Sequence, residues 1–336
     1  MHLPPIATAT VGSFPRPGWL IAERERGSVT FEMEGVSLKE AQDDATALVI
    51  AEQEEIGLDL LTDGEQRRTS FIHHITANWS GIDLNRLRPK AIRRRTQARP
   101  VPCVVSKVER RSAAVVEDLR FAKTRTGKPL KMAVPGPMTV IDSTYDEAYG
   151  NEVDLAMDIA AAVNAELLDL QAAGADIVQI DEPAMTRYHE KVSAYGARAL
   201  NRCLEGITIP TIVHLCYGYP GTGNSQHEYE YPELLELLLE TLIGGFSVEF
   251  SRSSYDPAVL RVCRDRLVIY GCVDPGESIQ ESADVVANRV RDVLNYLDPT
   301  RLIIAPDCGL MTISRELASA KARMLVEVAR EVRQSL

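Results

Sequence analysis

Four residues in the C-terminal half of the chain have the chemistry of a metal centre. His214 and Cys216 are two apart at the end of an apolar run, and strand positions i and i+2 share a face. An imidazole nitrogen and a sulfur are therefore offered to one side together. Glu249 ends the next apolar run and Cys308 follows the last one. One nitrogen, two sulfurs and one carboxylate oxygen suit tetrahedral zinc. Each piece alone has a plainer reading: His-x-Cys as a satisfied core histidine beside a buried thiol, and Cys308 as packing. The four together, all at the ends of apolar runs, favour zinc. Two thiolates and a glutamate more than offset the dication, which makes the centre a poor activator of water. It can hold a substrate thiol as a nucleophilic thiolate instead, so the expected chemistry is alkylation of a thiol.

Something must bring these residues together. Short apolar runs recur at residues 6–11, 58–62, 131–134, 176–180, 211–215, 246–250, 267–271 and 302–305. Helical spacing of apolar residues separates most of them, at 38–56, 155–173, 231–243, 282–296 and 314–333. The first helix is expected to start with a capping box, Ser37 with Glu40, and to stop at Gly57; the second stops at Gly174. Alternating strands and helices imply parallel βαβ units. Eight of them suggest an α/β fold of the (β/α)8 TIM barrel type. An open doubly wound sheet normally carries a glycine-rich loop after its first strand, whereas the turn here reads Gly12-Ser13-Phe14-Pro15-Arg16-Pro17.

The runs end in Gly12-Ser13, Asp63-Gly64-Glu65, Pro135-Gly136-Pro137, Asp181-Glu182-Pro183, His214 to Cys216, Glu249, Asp274 and Asp307-Cys308. In a parallel barrel these ends converge on one face, where barrel enzymes keep their sites. One or two polar strand ends are ordinary helix caps; nearly all of them is a different matter. The longest departure from the repeat, residues 64–130 between the second and third strands, reads as an insertion over one barrel end. The whole of 1–336 is then one catalytic barrel. The insertion carries an arginine-rich stretch, Arg86 to Arg99, which is a solvated loop or a contact for an anionic donor or partner. Trp79, Tyr217 and Tyr219 could line a pocket or simply pack.

Net charge −11 argues against broad attraction to nucleic acid. Six scattered cysteines are too few for a disulfide scaffold of 336 residues. No run nears the roughly 18 apolar residues of a membrane span. Met1 to Pro5 lacks the features of a signal peptide. The expectation is a cytoplasmic enzyme without membrane contact.

The ordered set from Val11-Gly12-Ser13 through Asp63-Gly64-Glu65 and Gln179-Ile180-Asp181-Glu182-Pro183-Ala184 to His214-x-Cys216, Glu249 and Cys308 resembles the catalytic domain of cobalamin-independent methionine synthase. It is similar to the short form that lacks a separate N-terminal barrel. The resemblance implies zinc at His214, Cys216, Glu249 and Cys308, with homocysteine sulfur as a further or replacing ligand. It also implies that Asp181 and Glu65 meet the homocysteine amine and that Gly12 and Ser13 meet its carboxylate. The bland reading of the two acids is capping, or an ion pair with Arg67 or Arg68. Two departures stand out. A tryptophan that packs against folate in the long enzymes would fall near Asp142-Ser143, and an Asp-x-His appears here as Asp274-Pro275-Gly276. Asp274 keeps the catalytic position while the histidine is absent. Methyl transfer to homocysteine is thus expected, with a donor that is corrinoid, folate-derived or delivered by an accessory protein. Alkylation of another thiol, as in the epoxide–coenzyme M transferases, is the rival enzyme reading. A non-catalytic zinc-stabilised thiol-binding barrel is the alternative from another class, and a decarboxylase on the same barrel is disfavoured because it needs no zinc.

Overall fold

Seven parallel strands make one sheet in the order Ala7–Thr8, Leu302–Pro306, Leu267–Val273, Gly245–Glu249, Thr211–Leu215, Ile177–Asp181, Lys131–Pro135. The structure is a computed structural model, and it describes residues 2–25, 28–92, 97–217, 231–253, 255–263, 265–276 and 281–336. Parallel bridges Ala9 to Leu60 and Leu61 to Leu130 set residues 60–61 between the first and last strands of that order. The ring is thereby closed into a (β/α)8 TIM barrel. The expected second strand, 58–62, is reduced to those two bridges. Beside it the Asp59 carboxylate, not a ladder carbonyl, takes the Thr8 N–H at 3.0 Å.

The strands from Lys131 to Pro306 are buried almost throughout, because the lumen packs one face and helices cover the other. Ala7, Ala9, Ile177, Ile212, Ile269 and Ile303 belong to a small apolar cluster inside the barrel. Two and four residues further along, on the same face, come Gln179 and Asp181 after Ile177, and His214 and Cys216 after Ile212. The lumen therefore changes from apolar to polar toward the C-terminal ends of its strands. A separate and much larger cluster lies between the strands and the helices.

The helix Gly35–Ile56 corrects one expectation. Its N-cap is Glu34, with no side-chain cap hydrogen bond, so the Ser37–Glu40 capping box does not form. Starting at Gly35 puts Ser37 inside the first turn, where it cannot take the extended conformation of an N-cap. The C-terminus is as expected: Gly57 has φ 94° and donates its N–H to the carbonyls of Gln53 and Glu54. Asn151 caps Glu152–Ala172, and Ser314 caps Arg315–Arg333 through the Leu317 N–H.

Between the second and third barrel positions lie the short helix His73–Thr76, the antiparallel strands Trp79–Lys90 and Arg99–Arg110, and the helix Val116–Lys123. The strand Arg99–Arg110 packs against the helix Glu152–Ala172. Arg110 meets Glu166 of the helix Glu152–Ala172 at 2.7 Å, and Glu166 also takes the N–H groups of Ala114 and Val115. Arg86 and Arg88 both pair with Glu147, while Arg93 to Arg95 lie outside the described residues. Among the described residues no helix is long and apolar enough to cross a membrane.

Candidate active site

At the C-terminal ends of the strands a cleft is lined by Gly12, Ser13, Glu65, Asp181, His214, Cys216 and Cys308, together with Val11, Phe71, Pro183 and Gly309. Seven residues expected from sequence thus face one space. Glu249 is buried beside Cys216 rather than in the lining, and Asp274 stands outside it.

His214, Cys216 and Cys308 each offer a ligand atom, and these atoms lie within 4.8 Å of one another. Nδ1 of His214 is 2.9 Å from the Ser247 hydroxyl, and its buried Nε2 has no hydrogen-bond partner. The Oε1 atom of Glu249 is likewise buried without a partner; its carboxylate takes the Tyr217 N–H. Leaving such atoms unsatisfied in a dry site is costly unless something else meets them. Electrostatics point the same way. Burial, then Cys216 and Asp307, push the Glu249 carboxyl well above its ordinary range. Contact with Cys216, then burial, does the same to the Cys308 thiol. Burial lowers the His214 imidazole, but Cys216 and Asp181 more than reverse it, so its net shift is upward. Potential anions beside each group contribute to all three upward shifts, and a cation would relieve that part. The donor set fits zinc.

Asp307 ties the surroundings of two of these expected ligands to each other. Its carboxylate accepts the N–H groups of Phe250, Ser251 and Arg252 at 3.0–3.2 Å, and the Ser251 hydroxyl at 2.5 Å. The segment after Glu249 is therefore anchored to the residue before Cys308. Burial raises the Asp307 carboxyl to about 7 even against those donors.

On the other side of the cleft, Glu65 has φ 55°, an uncommon conformation for a residue with a side chain. Its N–H goes to Asp63 and its carbonyl accepts from Arg16. The Glu65 carboxylate is 3.5 Å from Nη1 of buried Arg68, so the bland ion-pair reading is part of the picture. Arg67 instead joins Asp43 and Asp118. A Cβ at residue 12 would lie 2.8 Å from Oε1 of Glu65, so a larger residue there would displace that carboxylate. Asp181 accepts Nε2 of Gln179 at 2.6 Å. Burial raises its pKa to about 6, with His214 opposing and Glu65 adding to the rise.

Asp274 sits apart: Oδ2 is 3.3 Å from Arg252, and Oδ1 accepts the Gly276 N–H. Trp79 is buried outside the cleft, and Tyr217 packs against Tyr231 with its hydroxyl 3.4 Å from that of Tyr255. Tyr219 lies outside the described residues. Sequence reasoning missed Phe71, Ser247, Lys131 and Gln179. Ser247 and Gln179 carried a signal, since each is two residues before an expected site residue on the same strand.

Residues 6–331 match the family model for the catalytic domain of cobalamin-independent synthase. The chain belongs to the cobalamin-independent methionine synthase family. Two similar relatives of that name are the methionine synthases of Saccharolobus solfataricus and Sulfurisphaera tokodaii. The first is 33% identical over 99% of this chain and 97% of its own length. The second is 32% identical over 100% of this chain and 95% of its own. A solved B12-independent methionine synthase from Shewanella sp. W3-18-1, in complex with selenomethionine, superposes with TM-score 0.94 at 32% identity over 99% of both chains. As a member of this family the chain is a methyltransferase of the methionine synthase type.

Proposed function

We propose that this chain methylates homocysteine to methionine, with zinc held by His214, Cys216, Glu249 and Cys308. The observation that carries the reading is one cleft with a sulfur- and nitrogen-rich donor cluster at one side and two carboxylates and a turn at the other. A selenium analogue of methionine was found in the Shewanella protein, which supports an amino acid of this size and shape. Bound zinc supplies the positive charge that keeps a thiol deprotonated and nucleophilic at neutral pH.

The chain's own residues do the rest. Asp181 and Glu65 receive the substrate ammonium, a charge-assisted pairing. Gly12 and Ser13 offer N–H and hydroxyl donors to its carboxylate. These two anchors direct the side-chain thiol toward Cys216 and Cys308. Phe71 and Val11 supply apolar wall that keeps water from the sulfur. The transfer forms an S–CH3 bond and breaks the bond from the methyl to its donor, which departs with the electron pair. Six buried cysteines, none in a disulfide, suit a reducing compartment such as the cytoplasm.

The test is to supply the zinc-loaded protein with methylcobalamin or methyl-folate and a series of thiols, and to follow the products by mass spectrometry. Methionine should form from homocysteine. Alkylation of 2-mercaptoethanesulfonate in preference to homocysteine would overturn the reading in favour of another thiol.

A further inference from the structure

Lys131 is an anomaly in the barrel lumen. It opens the strand Lys131–Pro135, is 1% exposed, and lies on a level with Ile177. An apolar side chain could fill that space without the large cost of burying an ammonium. The charge is used instead. Its Nζ donates to the backbone carbonyl of Val11 and to Oε1 of Gln179.

Both contacts lead to the cleft. An ammonium only donates, so it fixes the Gln179 amide with its oxygen inward and its NH2 outward. That NH2 then reaches Oδ1 of Asp181 at 2.6 Å. The second contact acts through the peptide plane. In a trans peptide the carbonyl and the following N–H point in opposite directions. Drawing the Val11 carbonyl toward Lys131 turns the Gly12 N–H away from it, at the start of the Gly12–Ser13 turn.

We propose that Lys131 is a positioning residue that sets both anchors of the amino-acid site at once, the amine anchor through Gln179 and Asp181 and the carboxylate anchor through Val11 and Gly12. The two anchors sit on strands that are not neighbours, and one buried cation fixes their separation. Burial draws the Lys131 pKa down to about 8, with Asp181, Glu65 and Asp63 opposing, so the ammonium form prevails at neutral pH. A substrate is then recognised by the distance between its ammonium and its carboxylate, which makes this cluster a selector for α-amino acids among thiols.

The inference rests on the homocysteine reading, and the test separates the two. Zinc-loaded protein is titrated calorimetrically with homocysteine, 4-mercaptobutanoate, 3-mercaptopropylamine and propane-1-thiol. The first has both anchored groups, the next two have one each, and the last has neither. Wild type should prefer homocysteine over all three. Gln179→Met should lose the preference over 4-mercaptobutanoate and keep that over 3-mercaptopropylamine. Lys131→Met should lose both preferences, each by about tenfold or more, since a hydrogen bond to a charged group is of that order. Propane-1-thiol affinity and zinc content should stay unchanged. Equal weakening of all four thiols, or variants that keep the homocysteine preference, overturns the role of Lys131. If Lys131→Met does not fold, Gln179→Met alone decides, because retention of its amine preference breaks the relay. A wild type that binds all four alike overturns the homocysteine reading and the inference with it.

Discussion

Nδ1 of His214 lies 2.9 Å from Oγ of Ser247, a residue on the neighbouring strand two positions before Glu249. This contact leaves Nε2 as the nitrogen available to a metal. It also couples the orientation of one expected ligand to the strand that carries another. Hydrogen bonds of this kind hold the ring in place and raise its basicity. Ser247→Ala should keep the fold and lower zinc affinity about 10- to 100-fold, the usual cost of removing such a partner. Competition with a chromophoric chelator measures it, and an unchanged affinity would place the metal elsewhere.

The donor cluster itself predicts a graded loss of metal. Cys216→Ser and Cys308→Ser should each remove most of the zinc, because thiolate is the tighter ligand. Glu249→Gln should weaken binding less. None of the three should unfold the barrel, whose principal apolar cluster lies between strands and helices and contains none of the three residues. Metal analysis alongside far-UV circular dichroism tests both halves. X-ray absorption of the wild type should show sulfur in the zinc shell, and a shell of only nitrogen and oxygen would falsify the assignment.

Stability should depend on pH through the buried acids. Burial, reinforced by Asp63 and opposed by Arg67 and Arg68, raises Asp118 to about 6. Burial raises Glu182 to about 7 against the donors of Thr139 and Met138. Between the ordinary carboxyl range and these values the folded chain binds more protons than the unfolded one. Unfolding free energy therefore falls as pH rises, from about 4 to about 6 for Asp118 and on to about 7 for Glu182. Asp118→Asn should flatten its share, on the order of 3 kcal/mol. Urea unfolding of wild type and variant across that range checks the sign, and parallel profiles would refute it.

The barrel and most of the cleft were legible because strand periodicity is simple. His214 and Cys216 share a face by being two apart, and Gly57 stops its helix by having no Cβ. Ser37 with Glu40 has the letters of a capping box, yet the helix extends past it to Gly35, and letters alone do not set where a helix begins. The Glu65–Arg68 pair was among the readings the sequence offered, whereas Lys131 was beyond reach for a different reason. A buried cation is tolerable only through partners that tertiary structure delivers, and Val11 is 120 residues from Lys131. The path of the inserted strands was equally hidden. It depends on Arg110 finding Glu166, 56 residues away.

The methyl donor yields the last prediction. A methyl on a folate nitrogen departs poorly until that nitrogen is protonated, so such a donor needs a stacking platform and a proton source. The resemblance places a tryptophan near Ser143, but Ser143 is a buried helix C-cap with no ring to offer. Tyr188 reaches the adjoining Asp142 through its hydroxyl at 2.9 Å, and the Lys191 ammonium lies over its face, 5.2 Å from the ring centroid. That ring is not an open platform. The expected proton source is replaced too. Where the resemblance places a histidine stands Gly276, whose N–H is spent on Asp274. Asp274 faces Arg252 at 3.3 Å through Oδ2 and accepts the Gly276 N–H through Oδ1, so both its oxygens are engaged. A corrinoid methyl needs neither service, because the reduced metal is its own leaving group. Single-turnover assays with homocysteine should therefore give methionine from methylcobalamin, or from a donor delivered by a partner protein, well ahead of methyl-folate. Introducing a platform with Ser143→Trp should not rescue methyl-folate by itself, since Gly276 still supplies no proton. Fast turnover of methyl-folate by the unmodified chain would mean that other residues perform both tasks.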